Sequence, residues 1–149
     1  MVTAANRGKL AEKKLKTYLE SLAVSSSCAF LRLADAHAGS RTATLCDFIF
    51  MREGVLHMVE CKSTMHEYRL PHGNVDPAQV AKMRMWKHAG AKAFVMIYHE
   101  KLDLWRAQEI DYFLVREGGS WDLRGLPLAD INITFNTCLQ FSTTPTLAQ

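Results

Sequence analysis

The chain of 149 residues is long enough for one domain with a proper hydrophobic core. Hydrophobic residues make up 48% and charged ones 22%, which excludes a disordered chain, and no apolar run approaches the roughly 20 residues of a bilayer-spanning helix. The net charge of +3 permits a nucleic-acid partner without demanding one.

Four scattered cysteines, Cys28, Cys46, Cys61 and Cys138, lack the paired spacing of a zinc site and read as reduced, partly buried thiols. The opening MVTAANRGK has no apolar signal-peptide core, so a cytosolic protein without a membrane anchor is expected. With neither repeats nor an internal linker, a single domain is expected over residues 1–141 and a disordered tail over residues 142–149.

Residues 4–22 carry the spacing of an amphipathic helix, with Ala11, Leu15, Tyr18, Leu19 and Leu22 as the apolar stripe and Lys9, Lys13, Lys16 and Glu20 facing out. Glu12 falls at the border of that stripe. It either reaches inward toward a metal or stays solvated beside Lys16. Asn6-Arg7-Gly8 offers a phosphate contact through Arg7, or is only a capping turn. A short strand is expected over residues 28–33, followed by a small, polar, exposed loop over residues 34–44. Arg32 on the strand and Arg41 in the loop are candidate phosphate contacts, each with a solvated arginine as the plainer reading.

The most informative stretch is LCDFIFMREGVLHMVECKST, residues 45–64, which reads as a β-hairpin. If Glu53-Gly54 is a two-residue loop, Arg52 pairs with Val55, and counting back sets Asp47 opposite Glu60. Glu60 and Lys62 share one face of the second strand while Cys61 points the other way. Two opposed carboxylates destabilise a sheet unless a cation lies between them. Their hard oxygens suit Mg²⁺, and Lys62 beside them suits holding or deprotonating a water and offsetting charge on a phosphate. The plainer reading is a surface salt bridge between Glu60 and Lys62 on an ordinary hairpin.

A second loop is expected over residues 65–75, carrying His66, Arg69 and His72. Asp76-Pro77-Ala78-Gln79 then opens a helix with Asp76 as the cap, Pro77 in the first turn and Gln79 closing a capping box, so a substrate-positioning role for Gln79 is a supplement. On this helix Met83, Trp86 and Gly90 share a face, and Arg84, Lys87 and His88 form an arc that is either a phosphate patch or simply solvated. The apolar run over residues 91–99 has the look of a central strand. A strand over residues 102–106 and a short helix over residues 109–116 follow. Residues 131–141 alternate as a half-buried strand suited to a sheet edge or a dimer interface.

This order predicts a mixed α/β sheet flanked by helices. Asp47 and Glu60-Cys61-Lys62 on adjacent strands resemble the PD-(D/E)XK, restriction-endonuclease-like nuclease superfamily. Within it the chain resembles the RecU-type Holliday-junction resolvases. The likeness is carried by Asn6-Arg7-Gly8 with Glu12, Asp47-Phe48, Glu60-Cys61-Lys62-Ser63, Arg69-Leu70-Pro71, and Gln79-Val80 through Gly90 into Phe94-Val95-Met96-Ile97.

The resemblance implies that Asp47, Glu60 and Glu12 are metal-binding acids, that Lys62 is the catalytic lysine, and that Mg²⁺, with Mn²⁺ substituting, serves phosphodiester hydrolysis. It also implies a homodimer that nicks opposed strands of a four-way DNA junction in the cytoplasm of a bacterial or phage-infected cell. Arg7, Arg32, Arg41, Arg69, Gln79, Arg84 and Lys87 form the pool for DNA contacts. RecU-type proteins carry a long stalk between the first strand and the hairpin, where this chain has only residues 34–44. A nuclease for linear or flapped DNA, and a non-catalytic DNA-binding repair module, are the alternatives.

Overall fold

A computed structural model describes residues 4–25, 28–33 and 44–124. The expected strand over residues 131–141, the tail, Cys138, Arg41 and most of the 34–44 loop lie outside the described residues, as does the side chain of Arg7.

The first helix, α1, spans Ala4–Ser25 and is followed by β1, Cys28–Arg32. The hairpin consists of β2, Phe48–Arg52, and β3, Val55–Thr64. Its loop is the two residues Glu53 and Gly54, both at positive φ (52° and 75°), a turn whose twist matches that of the strands it joins. Arg52 therefore pairs with Val55 and Phe48 with Val59. Next come a short β4, Arg69–Pro71, a 3₁₀ turn His72–Asn74, and the second helix α2, Pro77–His88. The chain continues through β5, Lys92–His99, β6, Leu104–Glu109, a 3₁₀ turn Ile110–Leu114, and β7, Ser120–Asp122.

Five strands form one mixed sheet in the order β1-β2-β3-β5-β6, and β4 pairs with β7 in a separate two-stranded sheet. Among the described strands only β3 and β5 run parallel, and a parallel pair needs a crossover, which α2 supplies. Asp76 caps α2 by accepting from the Ala78 N–H at 2.9 Å. The helix ends where Gly90 takes a φ of 115°, with the Gly90 N–H donating to Lys87 and the Ala91 N–H to Trp86, the hydrogen-bond pair of a Schellman stop.

The sheet divides the core into two layers. Ala11, Leu15 and Leu19 of α1 pack against Phe48, Phe50, Val59, Cys61, Phe94 and Met96 on one face. Val80 and Met83 of α2 pack against Met58, Val95 and Ile97 on the other, joined by Ile110, Phe113 and Trp121. Residues of β5 alternate between the layers and are buried on both sides, each large side chain contributing about 1.5–3 kcal/mol. Because β3 alternates too, Val59 and Cys61 face α1, which turns Glu60 and Lys62 toward the α2 side.

Several expectations are corrected. The stretch expected as a loop over residues 65–75 contains β4, and β7 was not anticipated; three-residue strands are too short to show a period. The helix expected over residues 109–116 is a single 3₁₀ turn, and β6 starts and ends later than expected. On α2 the buried residues are Val80 and Met83, whereas Trp86 is 47% exposed.

Candidate active site

Asp47 sits one residue ahead of β2, where its N–H donates to Val59 (3.1 Å) and its carbonyl accepts from Leu33 (2.8 Å). The carboxylate reaches across the hairpin and accepts from the Cys61 N–H at 2.7 Å, beside Glu60. Glu60 is only 4% exposed. Its Oε1 receives the Lys62 ammonium at 2.7 Å and its Oε2 the Gln79 side-chain amide at 2.7 Å. The opposed carboxylates and same-face lysine expected from the hairpin register are thus brought together.

The electrostatics follow from this crowding. Burial first, then repulsion from Glu60, pushes the Asp47 carboxyl up to about 7 against the counter-effect of the Cys61 hydrogen bond. Burial likewise raises Glu60, opposed by the attraction and hydrogen bond of Lys62. For Lys62, burial pulls the ammonium down, but the charge and hydrogen bond of Glu60 outweigh it and the net direction is upward. With the cavity as it stands, Lys62 is held as an ammonium beside Glu60.

Glu12 projects from α1 toward the same place, and its charge raises both Asp47 and Glu60. Its Oε2 accepts from Arg32 Nη2 at 2.7 Å and Nε at 3.2 Å, so it is paired with Arg32 of β1 rather than with Lys16, which meets Glu20 instead. Glu12, Asp47, Glu60, Lys62, Ser63 and His66 line a cavity of about 490 Å³.

The remaining candidates separate. Gln79 does not turn back to close a capping box; its amide spans from the Thr44 carbonyl (3.4 Å) to Glu60, which corrects its purely structural explanation. Arg69 is exposed on β4. Arg84 donates to Asp111 at 2.8 Å, and Lys87 pairs with both Asp111 and Glu109, so these two cations of the arc, read as either a phosphate patch or a solvated face, are largely neutralised by nearby acids. Sequence reasoning gave no role to Ser63 or His66. Ser63 has only its place after Lys62 to mark it, and His66 lies in a loop where no period exists to read.

The donor set fits a divalent cation. Two neighbouring carboxyls share the cavity with one ammonium, Lys62, and burial raises both above their ordinary range, so a cation placed there would favour their ionised, oxygen-donating form. Among the described residues no three His, Cys, Asp or Glu side chains are gathered as a ready-made cage.

A family model described as Recombination protein U, RecU, matches residues 13–121, a span that includes Asp47, Glu60, Lys62 and Gln79 and begins just after Glu12. Among solved structures, Hjc, a Holliday junction resolvase from the archaeal hyperthermophile Archaeoglobus fulgidus, is similar with a TM-score of 0.55 at 18% identity, covering 87% of this chain and 93% of that one. The bacterial homing endonuclease I-Ssp6803I is similar with a TM-score of 0.56 at 15% identity, covering 96% of each chain. At these identities the likeness is one of fold, and both share the nuclease fold expected from the sequence. No curated protein matches the sequence.

Proposed function

This chain belongs to the RecU family, and from that membership we propose that it is a Holliday-junction resolvase: a Mg²⁺-dependent endonuclease that, as a homodimer, places paired nicks on opposed strands of a four-way DNA junction. The observation that carries the reading is the gathering of Asp47, Glu60 and Lys62 in one polar cavity within the span matched to the family.

Asp47 and Glu60 would hold the cation, with Glu12 the third acid within electrostatic reach. A bound Mg²⁺ polarises a phosphoryl oxygen and makes a water more acidic. The chain does the rest. Cys61 fixes the Asp47 carboxylate through its N–H, and Gln79 fixes Glu60, so neither acid must reorganise when substrate arrives. Lys62 presents its ammonium beside Glu60, where it orients a water and offsets negative charge growing on the phosphate. Arg69, exposed near the cavity's Pro71 wall, remains available to the DNA backbone.

The test incubates purified protein with a labelled immobile four-way junction and with a linear duplex of the same sequence, with Mg²⁺ and with chelator. Symmetric paired nicks on the junction alone, dependent on Mg²⁺, are expected. Equal cutting of the duplex would replace junction resolution with a general nuclease activity, a reading that the short 34–44 connection keeps in view.

A further inference from the structure

Glu12 is a wall between two unlike spaces. On one side lies the acidic cavity with Asp47 and Glu60. On the other lies a groove of about 250 Å³ lined by Lys9, Glu12, Lys13, Lys16 and Arg32. Lys9, Lys13 and Lys16 follow one another at helical spacing, an arrangement of like charges that weakens a helix unless an anion is near. Lys16 has Glu20 (3.7 Å), but Lys9 and Lys13 have no acidic partner among the described residues. Among the described residues the one carboxylate lining the groove is Glu12, taken by Arg32.

We infer that this groove is a second phosphate subsite, and that a DNA backbone phosphate seated in it competes with Glu12 for Arg32, freeing Glu12 for the cation held by Asp47 and Glu60. The inference rests on the proposed nuclease reading and adds a coupling to it: the acidic site is completed when DNA is in place. Arg32 suits the exchange because its guanidinium serves carboxylate and phosphate equally well, and its side chain is 37% exposed. Glu12 suits it because its charge already reaches both acids from across the cavity. Arg32 is thus a positioning residue, acting on the cation through Glu12.

The test measures Ca²⁺ affinity by calorimetry on the full chain, alone and with a four-way junction, since Ca²⁺ takes the same oxygen ligands. In the wild type the junction tightens Ca²⁺ about tenfold, and by linkage Ca²⁺ tightens the junction by the same factor. Arg32→Met raises the affinity for Ca²⁺ without DNA about threefold or more and shrinks the junction's further effect by that factor. Glu12→Gln added to Arg32→Met removes the gain.

Arg32→Lys, which keeps one contact to Glu12, gives an intermediate gain and serves if the Met variant does not fold. Replacing Lys9 and Lys13 together by Ala lowers the salt slope of junction binding by about two for each subunit bound. Unchanged Ca²⁺ affinity in a folded Arg32→Met or Arg32→Lys protein, or an unchanged salt slope, overturns the inference. Such a failure is separable from failure of the nuclease reading, which appears as a wild-type protein that neither binds Ca²⁺ through Asp47 nor cuts DNA.

Discussion

Two clusters of charge in this molecule use the same side-chain types and differ in balance. Beside α2, Arg84 and Lys87 face Asp111 and Glu109, two cations against two anions, all partly exposed. In the cavity a single ammonium, Lys62, faces Asp47 and Glu60, and the additional acid, Glu12, is held by Arg32. The balanced cluster lowers the Asp111 carboxyl, chiefly through the Lys87 hydrogen bond. The unbalanced cluster raises Asp47 to about 7, chiefly through burial. Balanced charge ties elements together, here α2 to the turn after β6. Charge held in excess is maintained at a cost to folding and marks a place that expects a ligand.

The comparison is broken most severely by emptying the unbalanced side. Asp47→Asn or Lys62→Ala should lower junction cleavage by about 10³-fold or more while leaving junction binding within about threefold, as read by nicking and gel-shift assays in parallel. Loss of binding together with folding would make these residues structural. Gln79→Ala comes next: freeing the Glu60 carboxylate should weaken cation binding and cleavage by about tenfold, the usual scale for a partner that orients a ligand.

The same imbalance predicts a pH dependence of stability. In the unfolded chain Asp47 loses its proton near 3.8, whereas in the fold it keeps it until about 7. The folded state therefore binds more protons across that window, and stability falls as pH rises through it. Asp47→Asn retains an acceptor for the Cys61 N–H and removes the charge. In chelator at pH 8 it should stabilise the protein by about 2–4 kcal/mol, since each pH unit separating the folded and unfolded titrations is worth about 1.4 kcal/mol, and the gain should vanish near pH 4. Denaturant melts at the two pH values check this, and a destabilised variant at pH 8 would contradict it. The smallest effect belongs to the balanced side, where Lys87→Ala should cost about 0.5–1 kcal/mol and leave cleavage within about twofold.

What was legible in advance was what local rules determine. The Glu53-Gly54 loop set the hairpin register, and strand alternation then set Asp47, Glu60 and Lys62 on one face. The Asp76-Pro77 start of α2 was legible because capping is local chemistry. Gln79 was misjudged for the same reason: it occupies the position of a capping partner while its amide is used 19 residues away at Glu60. Asp111, which pairs with both Arg84 and Lys87, comes from a 3₁₀ turn 27 and 24 residues along the chain, and Glu109 from the end of β6, and no spacing rule connects them. The pairing of β4 with β7 rests on three residues a side, below the length at which alternation becomes a pattern.

The central claim is that the charge imbalance at Asp47 and Glu60 is a divalent-cation site. Its most direct test is a calorimetric titration of Mg²⁺ into the wild-type chain and into Asp47→Asn and Glu60→Gln, each verified as folded. The account predicts saturable binding to the wild type and its loss in both variants. Mg²⁺ binding of equal strength in all three proteins would contradict it.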